Sequence, residues 1–361
     1  MADFFNEPLE LVHNKFHRSY QGGRETDRFR GIPSDQDDGR PESWVGSCTL
    51  VSNAAQLEDK NTGYAEVITP KGEKLYLKDL LKEHPEGYLG EAHVKKYGDH
   101  PMVLVKILDA GEDLALQAHP PKEIAQKLYN LPRGKHECWY VLGTRDDVEN
   151  PSLTLGFKEG ITKETYYELF DKQDIGAMLD WCHKIPVEIE DMYDVPNGLV
   201  HAIGKGCFII EVQEPSDVTA VVEKSRAPQG RADDPAWREQ MLEAFNYEGL
   251  SQQGIIDKYK VAPVYLQQTA DYAEKIIIGK AQGAPFGAAR YDMSAGVMDI
   301  LDTGTFSILI VAEGEGIIRY DGGERSVKKG DEVFLPAGLK DVRFATDGKL
   351  SVIRCFPPDA V

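Results

Sequence analysis

The stretch Lys329-Gly330-Asp331-Glu332-Val333-Phe334-Leu335-Pro336-Ala337-Gly338 reads as a polar turn, a short apolar strand and a stop built from proline, a small residue and glycine. An earlier phrase, Asp194-Val195-Pro196-Asn197-Gly198-Leu199-Val200-His201, repeats that order. Two copies of one phrase predict an internal duplication, with two related barrels in one chain. Around the later copy, residues 306–311 predict a strand, 313–316 a turn, and 317–320 a strand that pairs back. Short strands at even spacing with Gly-rich turns indicate a barrel or jelly roll.

The first half of the chain carries the same kind of signal. Residues 102–108 form an apolar, β-branched run typical of a buried strand, and 109–113 a turn. Residues 114–119 predict the next strand, 121–128 a helix behind Pro121, and 139–142 and 153–157 further strands. The period then changes. Thr162 is a plausible cap, and Tyr166, Leu169 and Phe170, then Ile175, Met178 and Leu179, fall at helical spacing. Strands return at 187–189, 194–195 and 207–212. Residues 225–259 are more polar and again helical, with Trp237, Met241, Leu242 and Phe245 as an apolar stripe. The first 90 residues read as irregular β-rich chain. The expected fold is mainly β: two jelly-roll barrels with short helical insertions. The expected divisions are residues 1–224 with a helical insertion near 162–184, a helical linker at 225–262, and a C-terminal β domain at 263–361.

Composition bounds the function. The chain has 361 residues, enough for two domains, and 41% of them are hydrophobic, enough for a core. No apolar run approaches the roughly 20 residues that span a bilayer. The acidic start, Met1-Ala2-Asp3-Phe4-Phe5-Asn6-Glu7, has neither a basic nor an apolar leader segment, which predicts no signal peptide. Five scattered cysteines without a CxxC pair predict neither a disulfide framework nor a thiolate zinc site, and fit a reducing cytoplasm. The net charge of −19 argues against nucleic acid and anionic membrane as partners. An anionic substrate would need a basic pocket; Lys15, His17, Arg18, Arg24, Arg28 and Arg30 form a candidate basic segment. Oligomeric state is not legible.

Three phrases carry chemistry: Leu116-Gln117-Ala118-His119-Pro120, Gly134-Lys135-His136-Glu137-Cys138-Trp139-Tyr140 and Val200-His201-Ala202-Ile203-Gly204. On a strand, Gln117 and His119 point to one face. With Glu137 and His201 they offer an amide oxygen, two imidazoles and a carboxylate, a suitable set for one divalent metal of the zinc type.

These phrases, in this order, resemble the type I phosphomannose isomerases (mannose-6-phosphate isomerases) in their shorter bacterial form, members of the cupin superfamily. Arg40-Pro41-Glu42-Ser43-Trp44 is similar to the family's E-S-W segment, and residues 103–120 to its L-x-K-x-(I/L)-D-A…Q-(V/A)-H-P phrase. Residues 134–140 are similar to G-K-x-E-x-W-Y, Val200 to Gly204 with Glu211 to Asp217 to H-A-x-G and E-x-Q-x-x-S-D, and residues 329–337 to K-G-D-x-x-F-x-P-A. The resemblance implies two cupin barrels, the first holding one Zn2+ or another divalent metal on Gln117, His119, Glu137 and His201, the second metal-free. It implies an aldose–ketose isomerase working on mannose 6-phosphate and fructose 6-phosphate through a cis-enediol. It assigns acid/base or substrate-contact roles to Lys135 and Asp217, and His136 could shuttle protons beside them. The family pattern also places an arginine four residues after that aspartate. Here Ala220-Val221 stands where the family has Tyr-Arg, and Tyr20-Gln21-Gly22-Gly23 where it often has W-G-G. Arg226, five residues on, is the candidate replacement. Two other readings stand beside the isomerase: a metal-dependent cupin enzyme acting on another sugar, and a non-catalytic sugar-binding paralogue.

Overall fold

The computed structural model describes residues 3–227 and 236–361. Among the described residues three sheets account for the architecture, and all strand pairings but one are antiparallel. The first barrel is made of two six-stranded sheets. One contains Ser152–Lys158, His201–Ile203, Gln117–Ala118 and Ala220–Val221. The other runs Met192–Val195, Glu137–Thr144, Cys207–Gln213, Leu104–Asp109, Glu42–Val45 and Lys15–Phe16. The second barrel is built from the twelve-stranded C-terminal sheet.

The apolar run 102–108 has a structural reason. Its strand, Leu104–Asp109, is buried at every position, and alternate residues serve different cores. Val105 and Ile107 join a cluster that also contains Ile308, Phe306 and Ile353 of the second barrel. Leu108 joins the interior of the first barrel with Trp139, Leu153 and Leu155. One sheet is therefore a wall shared by both barrels.

The N-terminal strands also belong to the second barrel's sheet. Leu9–Leu11 pairs with Glu332–Leu335 on one side and Glu66–Ile68 on the other. The first 90 residues hold helices that the sequence reading did not expect: Arg24–Phe29, Leu77–Glu83 and Pro85–Leu89, followed by Glu91–Tyr97. Leu77, Leu80, Leu81, Tyr88 and Leu89 are their buried stripe, broken by Pro85 into pieces too short for a clear helical period. The helical insertion is present as Lys163–Lys172 and Ile175–Asp180, and Thr162 caps the first by accepting from the Thr165 amide. Of the expected linker, residues 228–235 lie outside the described residues. The remainder packs on the first barrel. Trp237, Met241, Leu242 and Phe245 lie against Phe157, Tyr166 and Phe170, and Gly249–Leu250 pairs with Ser152–Lys158.

The turn expected at 313–316 is not a turn. Ser307–Tyr320 is one long strand, and the hairpin reverses at Asp321-Gly322 to pair with Gly323–Lys328. The strand changes partners halfway, at a bulge between Val311 and Glu313. Gly314 sits there with φ +74°, and a Cβ on it would stand 1.7 Å from the Lys349 carbonyl oxygen. The glycine therefore bends a strand rather than ending one. Gly314→Ala is expected to lower stability by about 2 kcal/mol or more. Urea denaturation checks this: the midpoint should fall at unchanged m.

Candidate active site

The ligand-bearing side chains come from both sheets of the first barrel. Only Gln117–Ala118 of the expected strand 114–119 is paired: Gln117 lies opposite His201 on one side and Val221 on the other. Leu116 and Ala118 point into the apolar cluster under the helices, so Gln117 and His119 face the barrel interior. Glu137 opens its strand opposite Val195 and Gln213. The Pro196-Asn197-Gly198 turn then clamps the pieces together. Asn197 Oδ1 accepts from the Lys135 amide at 2.7 Å, and the Gly198 amide donates to the His119 carbonyl at 2.7 Å.

His119, Glu137 and His201 are each about 1% exposed, and their ligand atoms lie within 4.8 Å of one another. His119 Nδ1–H donates to the Val218 carbonyl at 3.0 Å, and His201 Nδ1–H to the Leu199 carbonyl at 2.8 Å. Both bonds leave the Nε2 lone pairs facing inward, 3.1 and 3.5 Å from the Glu137 carboxylate. Burial, reinforced by Lys135, lowers the His119 pKa to about 4, and burial lowers His201 as well, so both imidazoles are neutral donors at pH 7. Burial works to raise the Glu137 carboxyl, but Lys135 and then His119 outweigh it and hold the group ionised. Trp139 Nε1–H donates to Glu137 Oε1 at 3.0 Å, while Oε2 is buried against the Lys135 ammonium at 2.9 Å. The Gln117 amide lies 3.3 Å from His201 Nε2, and half a turn of the amide presents its oxygen there. Two neutral imidazoles, an ionised carboxylate and an amide are a donor set that fits a divalent metal.

Lys135, 4% exposed, places Nζ 3.0 Å from His119 Nε2 and 2.9 Å from Glu137 Oε2. From there a chain of alternating charges runs along a cavity of about 530 Å³. Lys135 lies 3.9 Å from Glu211, Glu211 2.8 Å from Lys106, Lys106 3.9 Å from Glu42, and Glu42 3.0 Å from Arg18. Arg18 reaches Asp217 at 3.1 Å. Asp217 also accepts from the Ser52 amide. Burial alone would raise the Asp217 pKa, but Arg18 and then Lys106 overcome it and hold the group at about 2. A depressed carboxyl stabilises the fold above its unfolded value of 3.8 and loses that contribution as pH falls through about 2. Asp217→Asn is therefore expected to remove on the order of 2 kcal/mol at neutral pH and to flatten denaturant stability between pH 5 and pH 2.5.

The remaining sequence candidates are spread apart. Arg226 lines the cavity, tied to Glu112 at 3.2 Å and to the Asp113 carbonyl. His136 turns away from it: its Nε2 lies 2.6 Å from Asp194 and its ring packs edge-on to Phe286. Of the basic segment expected to serve an anionic substrate, Arg18 lines the cavity; Lys106 and Glu211, which the sequence reading gave no site role, line it too. Among the described residues, no helix is long and apolar enough to cross a membrane.

Two jelly-roll barrels sharing a wall, one gathering a buried His-Glu-His cluster at a charged cavity, define a cupin enzyme with a candidate metal centre. Two family descriptions match the chain: "Phosphomannose isomerase type I, catalytic domain" over residues 21–140 and "Mannose-6-phosphate isomerase, cupin domain" over residues 283–357. Mannose-6-phosphate isomerase ManA of Bacillus subtilis is 30% identical over 265 residues, covering 73% of this chain and 76% of that protein. Putative mannose-6-phosphate isomerase YvyI of the same organism is 26% identical over 333 residues, covering 86% and 94%. The crystal structure of the B. subtilis mannose 6-phosphate isomerase has the same fold, with a TM-score of 0.75 at 23% identity over 96% of this chain and 99% of that one. The chain belongs to the type I phosphomannose isomerase family and is an isomerase of the mannose-6-phosphate isomerase type.

Proposed function

We propose that this chain interconverts mannose 6-phosphate and fructose 6-phosphate in the cytoplasm, with one zinc ion, or another divalent metal, on Gln117, His119, Glu137 and His201. When bound, the metal would supply Lewis-acid polarisation of the sugar carbonyl. The observation that carries the phosphorylated substrate is the charge of the cavity beside the cluster. Lys106 and Lys135 are buried against carboxylates; Arg18 and Arg226 pair with carboxylates too, but their side chains keep 23% and 31% of their surface open. Two partly open arginine side chains in a chain of net charge −19 are the basic end offered to a sugar phosphate.

The chain's own groups divide the work. Lys135, held beside Glu137 and Glu211, is the candidate proton carrier for aldose–ketose exchange. Asp217 and Glu42 hold the Arg18 fork from two sides. Val221 offers only an apolar wall beside Gln117. His136, paired to Asp194, has no part in this reading. A coupled assay with fructose 6-phosphate, with and without chelator, tests it. Turnover should vanish with chelator, return with zinc, and be far weaker for the unphosphorylated ketose. No turnover by a fully metal-loaded protein would overturn the assignment.

A further inference from the structure

Part of the second barrel repeats the order of the first. Met192–Val195 corresponds to Glu332–Leu335, and each is followed by Pro-x-Gly-Leu, Pro196 to Leu199 and Pro336 to Leu339. His201–Ile203 then corresponds to Arg343–Thr346, and Cys207–Gln213 to Leu350–Phe356, both fully buried seven-residue strands. Counting from each proline, Asp341 takes the place of His201, although it lies two residues before its strand begins. Counting along the last strands, Arg354 takes the place of Glu211, which lines the catalytic cavity.

At that corresponding place the second barrel holds a cavity of about 210 Å³, with Arg354 and Asp341 in its wall. Arg354 is 5% exposed. Its Nε donates to Ser307 Oγ at 2.8 Å, its Nη1 to the Leu301 carbonyl at 2.5 Å and to the Tyr291 hydroxyl at 3.3 Å, and its guanidinium stacks 4.7 Å from the Phe356 ring. All these partners are neutral. Among the described residues no carboxylate lies within ion-pair distance of Arg354, and Nη2 donates to none of them. The Tyr291 phenol faces Glu274 as well, so that acid is relayed to the guanidinium by a neutral group. A buried cation of this kind is costly unless an anion completes it.

We infer that the second barrel is a binding site for a small hydroxylated oxyanion, a carboxylate or phosphate ester, seated on Nη2 of Arg354. The rim supports the hydroxylated end: Asp302 and Asp341 are exposed acceptors at the mouth, and Asp299 is already paired with Arg343 at 2.7 Å. Duplication thus left a ligand pocket in both barrels, with an arginine in the second where the first has Glu211.

The test is calorimetric titration of the metal-loaded full chain with D-glycerate and, separately, with glycerol 1-phosphate; the arm that binds more tightly names the anion. Arg354→Met should weaken that binding about tenfold or more. Ala337→Leu, which fills the pocket from its lip, should abolish it. Both variants should keep the isomerase kcat/KM of the parent. Should Arg354→Met fail to fold, Ala337→Leu alone decides. Absence of saturable binding to the folded parent, or equal binding in the variants that fold, would overturn the inference whatever the isomerase assay shows.

Discussion

Glu137→Ala is expected to lose its metal and its turnover together. Both imidazoles aim Nε2 at this carboxylate, 3.1 and 3.5 Å away, so it supplies the only negative charge of the His-Glu-His cluster. Its removal leaves a neutral donor set and a Lys135 ammonium whose nearest remaining carboxylate is Glu211 at 3.9 Å. That ammonium then opposes a second cation instead of being neutralised. Loss of Lewis-acid assistance worth several kcal/mol corresponds to roughly a thousandfold or more in kcat/KM. Atomic spectroscopy on the purified variant reads the metal, and the coupled assay reads the rate. Metal at wild-type stoichiometry would show that Glu137 is not a ligand.

Lys135→Ala separates the chemistry from the metal. The lysine donates no ligand atom to the cluster, and its positive charge is unfavourable beside a bound dication. The variant is therefore expected to keep its metal or to bind it more tightly. It removes the group closest to both His119 Nε2 and Glu137 Oε2, and with it the candidate proton carrier. An acid/base group contributes about 10² to 10⁴ in rate, so kcat should fall by that factor with KM little changed. Metal analysis and steady-state kinetics on one preparation check both halves. A variant that loses metal as well would make Lys135 part of metal retention instead.

Much of this could be read from the chain. The Pro-x-Gly repeat announced two barrels, and the phrases around Gln117, Glu137 and His201 marked residues that the fold brings within reach of one another. Local signals failed where tertiary context decides. Gly314 carries the residue type of a turn, but only the neighbouring Lys349 backbone makes it a bend within a strand. His136 could have been placed by period two alone, since Lys135 and Glu137 on the cavity side send the residue between them outward. Arg18 was legible only as one of a basic group. It pairs with acids of the cavity wall, Glu42 and Asp217, whereas its companions pair with acids elsewhere: Lys15 with Asp27 and Asp38, Arg24 with Asp147, and Arg30 with Glu332. No periodicity predicts which arginine remains for the cavity.

The pairing of Leu9 with Phe334 has a consequence for biogenesis. A ribosome releases the first strand long before its partner exists, and strand-forming backbone left single is exposed to wrong neighbours. The shared wall adds to the wait, because its outer face stays uncovered until Phe306, Ile308 and Ile353 emerge. The last barrel to be synthesised is thus the one that completes the first. The nascent enzyme should depend on chaperones until translation is nearly finished, with high contact order slowing the final closure.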